Sequence, residues 1–311
     1  TEGGYYDGDK IRFRQGTPEK IGGWTQISTS TFEGVCRSLH NWVTLGGQNL
    51  IGVGTHLKFY ISNVGNYNDV TPIRATVSLS NPFTTVSGSA VVTVTDANGG
   101  YQDGDYVTFS NASAVGGLTI DGEFVVSLSV TTAANSYNIT ASSNATSSAT
   151  GGGTVSAAYQ INVGNPFAVP IEGWGASSWG SGAWNVGESS TTAIRFFSQS
   201  NFGEDLIFGN NGGSIFYWDA TGSVTTRAVL LSTLSGASDV PVVQNLILVS
   251  DISRFVFCFG TNEIGSDTID PTLLRWSDQE DATNWTPSAT NQAGSLRLSR
   301  GTKIVAASQA R

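Results

Sequence analysis

Three acidic residues near the end of the chain have the side chains that carboxylate catalysis requires: Asp278, Glu280 and Asp281. Hydrolysis of a glycosidic bond needs two carboxyl groups placed on either side of a sugar, one of them with a raised pKa. Nothing in the spacing of the three sets any two of them across a substrate, whereas polar residues clustered between strands are typical of a turn. We therefore interpret the trio as a solvated turn and predict no catalytic residue.

Few other residues could act as bases, nucleophiles or metal ligands. The two histidines, His40 and His56, do not lie beside a nucleophile elbow, a zinc-ligand pair or a phosphate-binding loop. Cys36 and Cys258 are far apart in sequence, and two cysteines make neither a disulfide framework nor a complete zinc site. The sequence therefore predicts two reduced, buried thiols, no metal site and no cofactor, and we do not expect an enzyme.

Two Asp-Gly-Asp motifs, at residues 7–9 and 103–105, have the oxygen ligands that calcium prefers. Neither motif continues into the twelve-residue calcium loop that ends in glutamate. Asp-Gly is favoured at the centre of type I′ turns, which require a positive φ at both central residues. The sequence therefore predicts two type I′ hairpin turns rather than cation sites.

The most unusual local pattern consists of three tryptophans spaced five residues apart, Trp174, Trp179 and Trp184, inside a glycine-rich loop at residues 173–184. Indoles packed against one another would order such a segment as a compact loop. Exposed indoles would instead form an aromatic platform for a sugar or a partner protein. The sequence leaves both interpretations open.

The composition indicates the class of element that positions these residues. Only 13% of the 311 residues are charged, while 38 are glycine and 10% are aromatic. β-Branched and aromatic side chains fit a pleated, half-buried surface, and glycine, asparagine and aspartate supply the turns between strands. The sequence therefore predicts an all-β protein.

The charge balance excludes one class of function. A net charge of −9 argues against a surface that grips phosphate groups, because such binding needs clustered lysine and arginine. An acidic wall is nevertheless compatible with a conduit through which DNA passes without sticking. No apolar run approaches the length of a membrane span, so membrane insertion is not expected.

A pattern of paired apolar strands recurs along the chain, each pair starting with a polar residue before Leu-Ile. The three copies are residues 49–53 with 57–61, 205–209 with 214–218, and 245–249 with 255–259. The second and third copies start about 40 residues apart, which is the length of one four-stranded propeller blade. The pattern predicts a β-propeller-like array of antiparallel blades, complete or partial, with a β-sandwich as the alternative.

A change in composition separates the first copy from the second. Residues 76–158 contain no lysine, arginine, histidine or tryptophan and alternate small β-forming residues. We interpret residues 75–158 as an inserted small β-barrel or sandwich. The predicted organisation is then N-terminal blades in residues 1–74, the insertion, and a continuation of the propeller in residues 159–311.

One stretch carries a resemblance to a known family. Residues 274–287 read Leu-Arg-Trp-Ser-Asp-Gln-Glu-Asp-Ala-Thr-Asn-Trp-Thr-Pro and continue to a Gly-Thr-Lys-Ile-Val segment at 301–305. Together with Gly-Gly-Trp at 22–24, they resemble the packaged-DNA stabilisation and tail nozzle proteins of short-tailed phages. The residues of this family-like turn motif are Trp276, Ser277, Asp278 and Trp285. Physically, we expect Ser277 and Asp278 to fix a hairpin through bonds to backbone N–H groups.

The resemblance implies a structural virion protein of the phage tail, assembled in the host cytoplasm. It implies a homohexameric ring around the DNA channel that retains and releases the genome. Its partners would be other copies of itself, a tail adaptor protein, and a tail fibre or needle protein, with genomic DNA passing through the lumen unbound. Two alternatives stay open: a carbohydrate- or receptor-binding tail module that uses the three spaced tryptophans, and a propeller glycosidase that uses the acidic trio.

Overall fold

The computed structural model describes residues 8–23, 25–26, 28–128, 135–163, 194 and 196–309. In these ranges the chain forms 22 β-strands in six sheets and one short 3-10 turn at Leu231–Thr233. The predicted all-β class is confirmed. In the same ranges, no helix is long and apolar enough to cross a membrane.

Three of the sheets are four-stranded antiparallel meanders that follow one another along the chain. Blade 1 consists of β3 (Cys36–Val43), β4 (Asn49–Thr55), β5 (Phe59–Asn63) and β6 (Asn66–Asp69). Blade 2 consists of β15 (Phe197–Phe202), β16 (Asp205–Asn210), β17 (Phe216–Trp218) and β18 (Val229–Leu230). Blade 3 consists of β19 (Leu246–Val249), β20 (Val256–Asn262), β21 (Ile269–Trp276) and β22 (Gly294–Arg297). The first strand of blade 2 contacts the first strands of both neighbours, the arrangement of blades around a propeller axis. The propeller-like array is therefore confirmed.

Neighbouring blades share apolar cores. Between blades 1 and 2 the core includes Phe59 and Phe208, whose rings stack with centroids 3.9 Å apart. Glycine allows the close approach, because a Cβ at Gly54 would lie 2.6 Å from the ring of Phe197. Polar side chains join the first strands, as where Gln199 Nε2 donates to Ser38 Oγ at 2.8 Å.

A second shared core lies between blades 2 and 3. It contains Ile207 from blade 2 and Ile247, Val256 and Cys258 from blade 3. These side chains sit on one face of each sheet because residues of a strand alternate between the two faces.

The strands between blade 1 and blade 2 form two further four-stranded sheets that pack as a sandwich. One sheet has the order β11 (Gly122–Val125), β10 (Tyr106–Ser110), β14 (Thr154–Gln160), β7 (Ile73–Ser80). The other has the order β12 (Ser136–Thr140), β9 (Val91–Thr95), β8 (Phe83–Thr85), β13 (Ala149–Gly151). The sandwich encloses its own core around Phe83 and Phe109, whose rings meet edge to face. The chain enters and leaves the sandwich at adjacent positions, where Ile161 N donates to Pro72 O at 3.0 Å.

Two features differ from the sequence-based expectations. Asp103-Gly104 does not form a type I′ turn: of its two central residues only Gly104 has a positive φ, +82°, and Asp105 N donates to Gln102 O at 3.1 Å, as in a type II turn. Asp7 of the other motif lies outside the described residues. The near-terminal hairpin of β1 (Ile11–Arg14) and β2 (Thr17–Lys20) turns instead at Gln15 and Gly16, both with positive φ.

The third copy of the strand-pair repeat is not equivalent to the first two. β4–β5 and β16–β17 are the second and third strands of their blades, whereas β19–β20 are the first and second strands of blade 3. The spacing of the copies wrongly suggested that all three strand pairs are equivalent. Any apolar hairpin has the same short-range pattern, whichever two strands of a blade it forms.

Candidate functional site

The turn motif follows β21 directly, at the end of blade 3. Ser277 is fully buried, its Oγ accepts a bond from Val256 N at 3.1 Å, and its own N–H donates to Val256 O at 3.0 Å. Trp285 is also buried and its Nε1 donates to Ala282 O at 2.8 Å. Trp276 is half-buried on the opposite side, with Nε1 donating to Gln292 O at 2.7 Å. Ser277, Asp278 and Trp285 therefore belong to one turn, which packs into the core shared by blades 2 and 3 through Trp285, whereas Trp276 ends β21 on the opposite face.

Two of the three carboxylates of the acidic trio accept hydrogen bonds from backbone N–H groups. Asp278 Oδ1 accepts from Gln279 N at 2.8 Å and from Gln292 N at 2.9 Å. Asp281 Oδ1 accepts from Thr283 N at 2.8 Å and from Thr283 Oγ1 at 2.6 Å. Glu280 is exposed and holds a left-handed φ of 59°. The bond from Thr283 N to Asp281 is that of an Asx turn, which fixes backbone direction, and Asp278 ties the segment at Gln292 to the turn.

The histidines and cysteines make structural contacts. His40 Nε2 lies 2.6 Å from Asn201 Oδ1, between the first strands of blades 1 and 2. Burial and the nearby Arg37 lower the pKa of His56, whose Nδ1 accepts a bond from Val35 N. Burial raises the pKa of both the Cys36 and the Cys258 thiol, which disfavours the reactive thiolate.

A cleft of about 350 Å³ opens beside blade 3. Arg275, almost fully buried, lines it and donates to the carbonyl oxygens of Asn262, at 3.3 Å, and Asp239. Burial lowers the pKa of this guanidinium. The two bonds tie the segments that carry Asn262 and Asp239 to β21, and the rim adds the exposed carboxylates of Asp239 and Asp267.

A cluster of charges joins the sandwich to blade 1. Lys58, which is buried, has its Nζ 3.3 Å from Asp69, 3.6 Å from Glu33 and in contact with Glu123 of the sandwich. Its Nζ also lies 4.4 Å from the ring centroid of Tyr106. Burial alone would lower the pKa of Lys58, but the hydrogen bond and the three carboxylates outweigh burial and raise it.

Blade 2 reaches the same cluster through one residue. Arg227 Nη2 lies 3.2 Å from Asp69 and 3.8 Å from Glu123. Gln160 Nε2 donates to Glu123 Oε2 at 2.6 Å. Two cations and three carboxylates thus meet where blade 1, blade 2 and the sandwich converge, and we call these five charged residues the ionic joint. Within the described part of the chain, no group of three or more histidine, cysteine or acidic residues is arranged to hold a metal ion.

Among the described residues, an apolar surface lies on blade 3, on the face turned away from blade 2. We call it the blade 3 outer face. It spans all four strands and consists of Leu246, Leu248, Phe255, Phe257, Phe259, Leu274, Trp276 and Leu296. Seven of these residues are half-buried, and Leu296 is exposed. The ring centroid of Phe257 lies 6.3 Å from that of Phe259 and 6.4 Å from that of Trp276.

The segment after β22 only borders this face. Ile304 N donates to Pro271 O at 2.9 Å and Gln309 Oε1 accepts from Asp251 N at 3.1 Å. Most residues of 299–309 are exposed. The aromatic row of β20 therefore stays accessible in part.

The blade 1 outer face, on the opposite end of the array, is smaller. Leu39, Val43 and Ile51 share this face and are exposed by 69%, 59% and 40%. Toward the outer strands Phe32 covers it, with ring contacts to Tyr60 and Tyr67. Within the described residues, each end of the array thus presents a partly exposed apolar face.

The three spaced tryptophans, Trp174, Trp179 and Trp184, lie outside the described residues, as does Trp24. Sequence reasoning missed the ionic joint and both outer faces. The alternation of Phe255, Phe257 and Phe259 was a signal for the blade 3 outer face, because it places three aromatics on one side of a strand.

Comparisons with known proteins add little. No protein-family model matches this chain, and a search of curated proteins found no match. Among solved structures the chain is similar to the phage phi92 endosialidase, at 16% identity and a TM-score of 0.25, over 93% of this chain and 41% of that one. The chain thus spans less than half the length of that protein. At this identity and TM-score the likeness carries no statement about activity, so function has to be argued from the chain's own residues.

Proposed function

We propose that this chain is a structural virion protein of a bacteriophage tail, a nozzle or hub component that associates with copies of itself around the DNA channel. The blade 3 outer face is the observation that carries the proposal, because a contiguous, partly exposed apolar surface is typical of an interaction site. The turn motif around Trp276 and Ser277, with its resemblance to tail nozzle proteins, supplies the phage-tail setting.

The proposed action is mechanical. Copies of the chain form a homohexameric ring, and its net charge of −9 lets genomic DNA pass through the lumen without specific binding. The ring retains the genome and releases it at ejection. A tail adaptor protein and a tail fibre or needle protein are the proposed neighbours, and the site of action is the virion, after assembly in the host cytoplasm and without membrane insertion.

Self-association tests the proposal directly. We expect mass photometry of the purified chain to show multimers, and negative-stain images to show sixfold rings that match rings on phage tails. A chain that stays monomeric at micromolar concentrations would contradict the nozzle role.

A second candidate is a carbohydrate- or receptor-binding tail module. The three tryptophans spaced five residues apart favour it, because indole rings stack on the apolar faces of sugars. Binding on a glycan array that is lost in Trp174→Ala, Trp179→Ala or Trp184→Ala would support this candidate. Multimers without any glycan binding would favour the nozzle.

The third candidate is a propeller glycosidase acting through the acidic trio. The Oδ1 atoms of Asp278 and Asp281 already accept hydrogen bonds from backbone N–H groups, so a structural role for these residues is the simpler proposal. We propose that the chain has no glycosidase activity. Turnover of host polysaccharide that disappears in Asp278→Asn, Glu280→Gln or Asp281→Asn would show this proposal to be wrong.

A further inference from the structure

We infer that copies of this chain associate head to tail, the blade 3 outer face of one copy packing on the blade 1 outer face of the next. The inference rests on the proposed self-association and names the two surfaces that carry it.

The two interfaces inside the chain show how blades join. Blade 1 contacts blade 2 through the face of β5 that carries Phe59 and Ile61. Blade 2 contacts blade 3 through its other face, which carries Ile207 and Tyr217. Each interface therefore joins the face that one blade turns toward the next blade of the chain to the face that the next blade turns back toward it. Both interfaces have this same order.

The two unused faces continue this order. Among the residues that the structure describes, blade 1 and blade 3 each pack on a neighbouring blade through one face only. A contact between the two outer faces would therefore pair the same two kinds of face as the internal interfaces do. A face that packed on its own copy would instead need a new arrangement.

The composition of the two faces fits such a contact. The blade 3 outer face offers stacked aromatic rings, including Phe257 and Trp276, and aromatic residues are enriched at interface cores. The blade 1 outer face offers the smaller aliphatic side chains Leu39, Val43 and Ile51.

The rotation between neighbouring copies decides whether this contact forms a closed ring. Head-to-tail contacts between identical copies generate a ring when the rotation closes. The same head-to-tail contact would thus produce the ring of the proposed function, with the rotation between copies setting their number.

Two single variants separate the two faces. Phe257→Arg places a charge at the centre of the blade 3 outer face, and Leu39→Asp places one on the blade 1 outer face. We expect each to raise the dissociation constant by about tenfold or more, the loss that removal of an interface hot spot causes. Val125→Arg, at an exposed apolar strand position of the sandwich, is the matched control and should associate as the unmodified chain does.

Mixing the two variants tests the head-to-tail order. Each variant protein keeps one intact face, and the intact faces are complementary. An equimolar mixture should therefore form heterodimers, seen by mass photometry, although neither protein associates alone. Leu39→Asp protein that still forms dimers by itself would overturn the inference, because it would show that blade 3 faces pack on each other.

Folding is controlled by circular dichroism, and Leu296→Arg replaces Phe257→Arg if the latter unfolds, because Leu296 is already 54% exposed. Multimers that persist in the variants of both faces would overturn the inference but leave self-association standing. A monomeric unmodified chain would instead remove the proposed self-association itself.

Discussion

Blade 2 meets its neighbours through apolar cores that both partners share, whereas the sandwich keeps a core of its own and meets blade 1 through charged side chains. Phe59 and Phe208 come from different blades and belong to one cluster. The cluster around Phe83 contains sandwich residues only. Lys58 and Glu123 cross the boundary between the sandwich and blade 1 as an ion pair.

This difference bears on how the chain unfolds. Apolar burial is lost as a whole when either partner of a shared core unfolds, so neighbouring blades should unfold together. A body with its own core can unfold separately once its joint is weakened. The chain offers a direct readout, because residues 73–160 contain no tryptophan. Tryptophan fluorescence therefore reports the blades, and near-ultraviolet circular dichroism of the tyrosines reports the sandwich in part.

The largest effect is expected from Phe208→Ala in the shared core of blades 1 and 2. Phe208 is fully buried and stacked on Phe59, and such truncations cost about 3–5 kcal/mol of unfolding free energy. We expect the tryptophan transition in urea to shift to lower denaturant. Phe83→Ala is the matched control in the sandwich and should leave that transition in place. Equal shifts of the tryptophan transition in both variants would show that the boundary does not separate two bodies.

Removal of the buried cation should come next in size. Lys58→Met keeps the aliphatic stem but leaves the carboxylates of Glu33, Asp69 and Glu123 without their central partner. Breaking a buried ion pair costs about 3 kcal/mol or more, reduced here because the carboxylates are partly exposed. We expect the tryptophan and tyrosine transitions to separate along the urea axis. Lys20→Met, at an exposed strand end, is the control, and coincident transitions in Lys58→Met would contradict a role for the ionic joint.

Sequence reasoning reached the fold class because it depends on local signals. Alternating strands and turn residues identify blades whichever way they pack, so the propeller-like array with its insertion was predictable. The position of each strand pair within its blade could not be predicted. The pair that starts at Leu246 forms the first two strands of a blade, while the similar pair at Leu206 forms the second and third. The ionic joint was hidden for another reason: Lys58, Glu123 and Arg227 are far apart in sequence, and only the tertiary fold makes them neighbours.

The candidate site shows the same limit. Bonds of Asp278 and Ser277 to backbone N–H groups were expected from residue type, but their partners Gln292 and Val256 are 14 and 21 residues away in sequence and could not be predicted. The outer faces depend on which side of a blade meets its neighbour, which strand periodicity cannot tell. The predicted boundaries at residues 75 and 158, and the roles of the individual site residues, stay predictions.

A smaller effect is expected from alkaline pH on the sandwich. Tyr137 and Tyr159 are fully buried with their hydroxyl oxygens 2.7 Å apart, and Tyr159 donates to Asp96 at 2.6 Å. Burial raises the pKa of both phenols above the ordinary value of 10.0. The unfolded tyrosines release protons near pH 10 while the folded ones keep them, so this stability is present below pH 10 and is lost as the pH rises toward the folded pKa.

Tyr137→Phe isolates this contribution. Each tyrosine that titrates only in the unfolded chain adds a slope of about 1.4 kcal/mol per pH unit. We expect the variant to lose stability less steeply than the unmodified chain between about pH 10 and pH 11, measured by the tyrosine transition in urea. Equal slopes in the two proteins would show that Tyr137 does not keep its proton in the folded state.

The smallest effect is expected at the turn of blade 3, where Asp281→Ala removes the bonds to Thr283 N and Thr283 Oγ1. Asp281 is half-buried and the lost bonds are local, so the cost should be about 1 kcal/mol. Because Ala282 and Trp285 of this turn belong to the core shared by blades 2 and 3, the loss should appear in the tryptophan transition. Asp267→Ala, on an exposed loop, is the control. A variant whose tyrosine transition alone moves would place the turn outside the cooperative blades, since a residue that supports a shared core must destabilise both blades that form it.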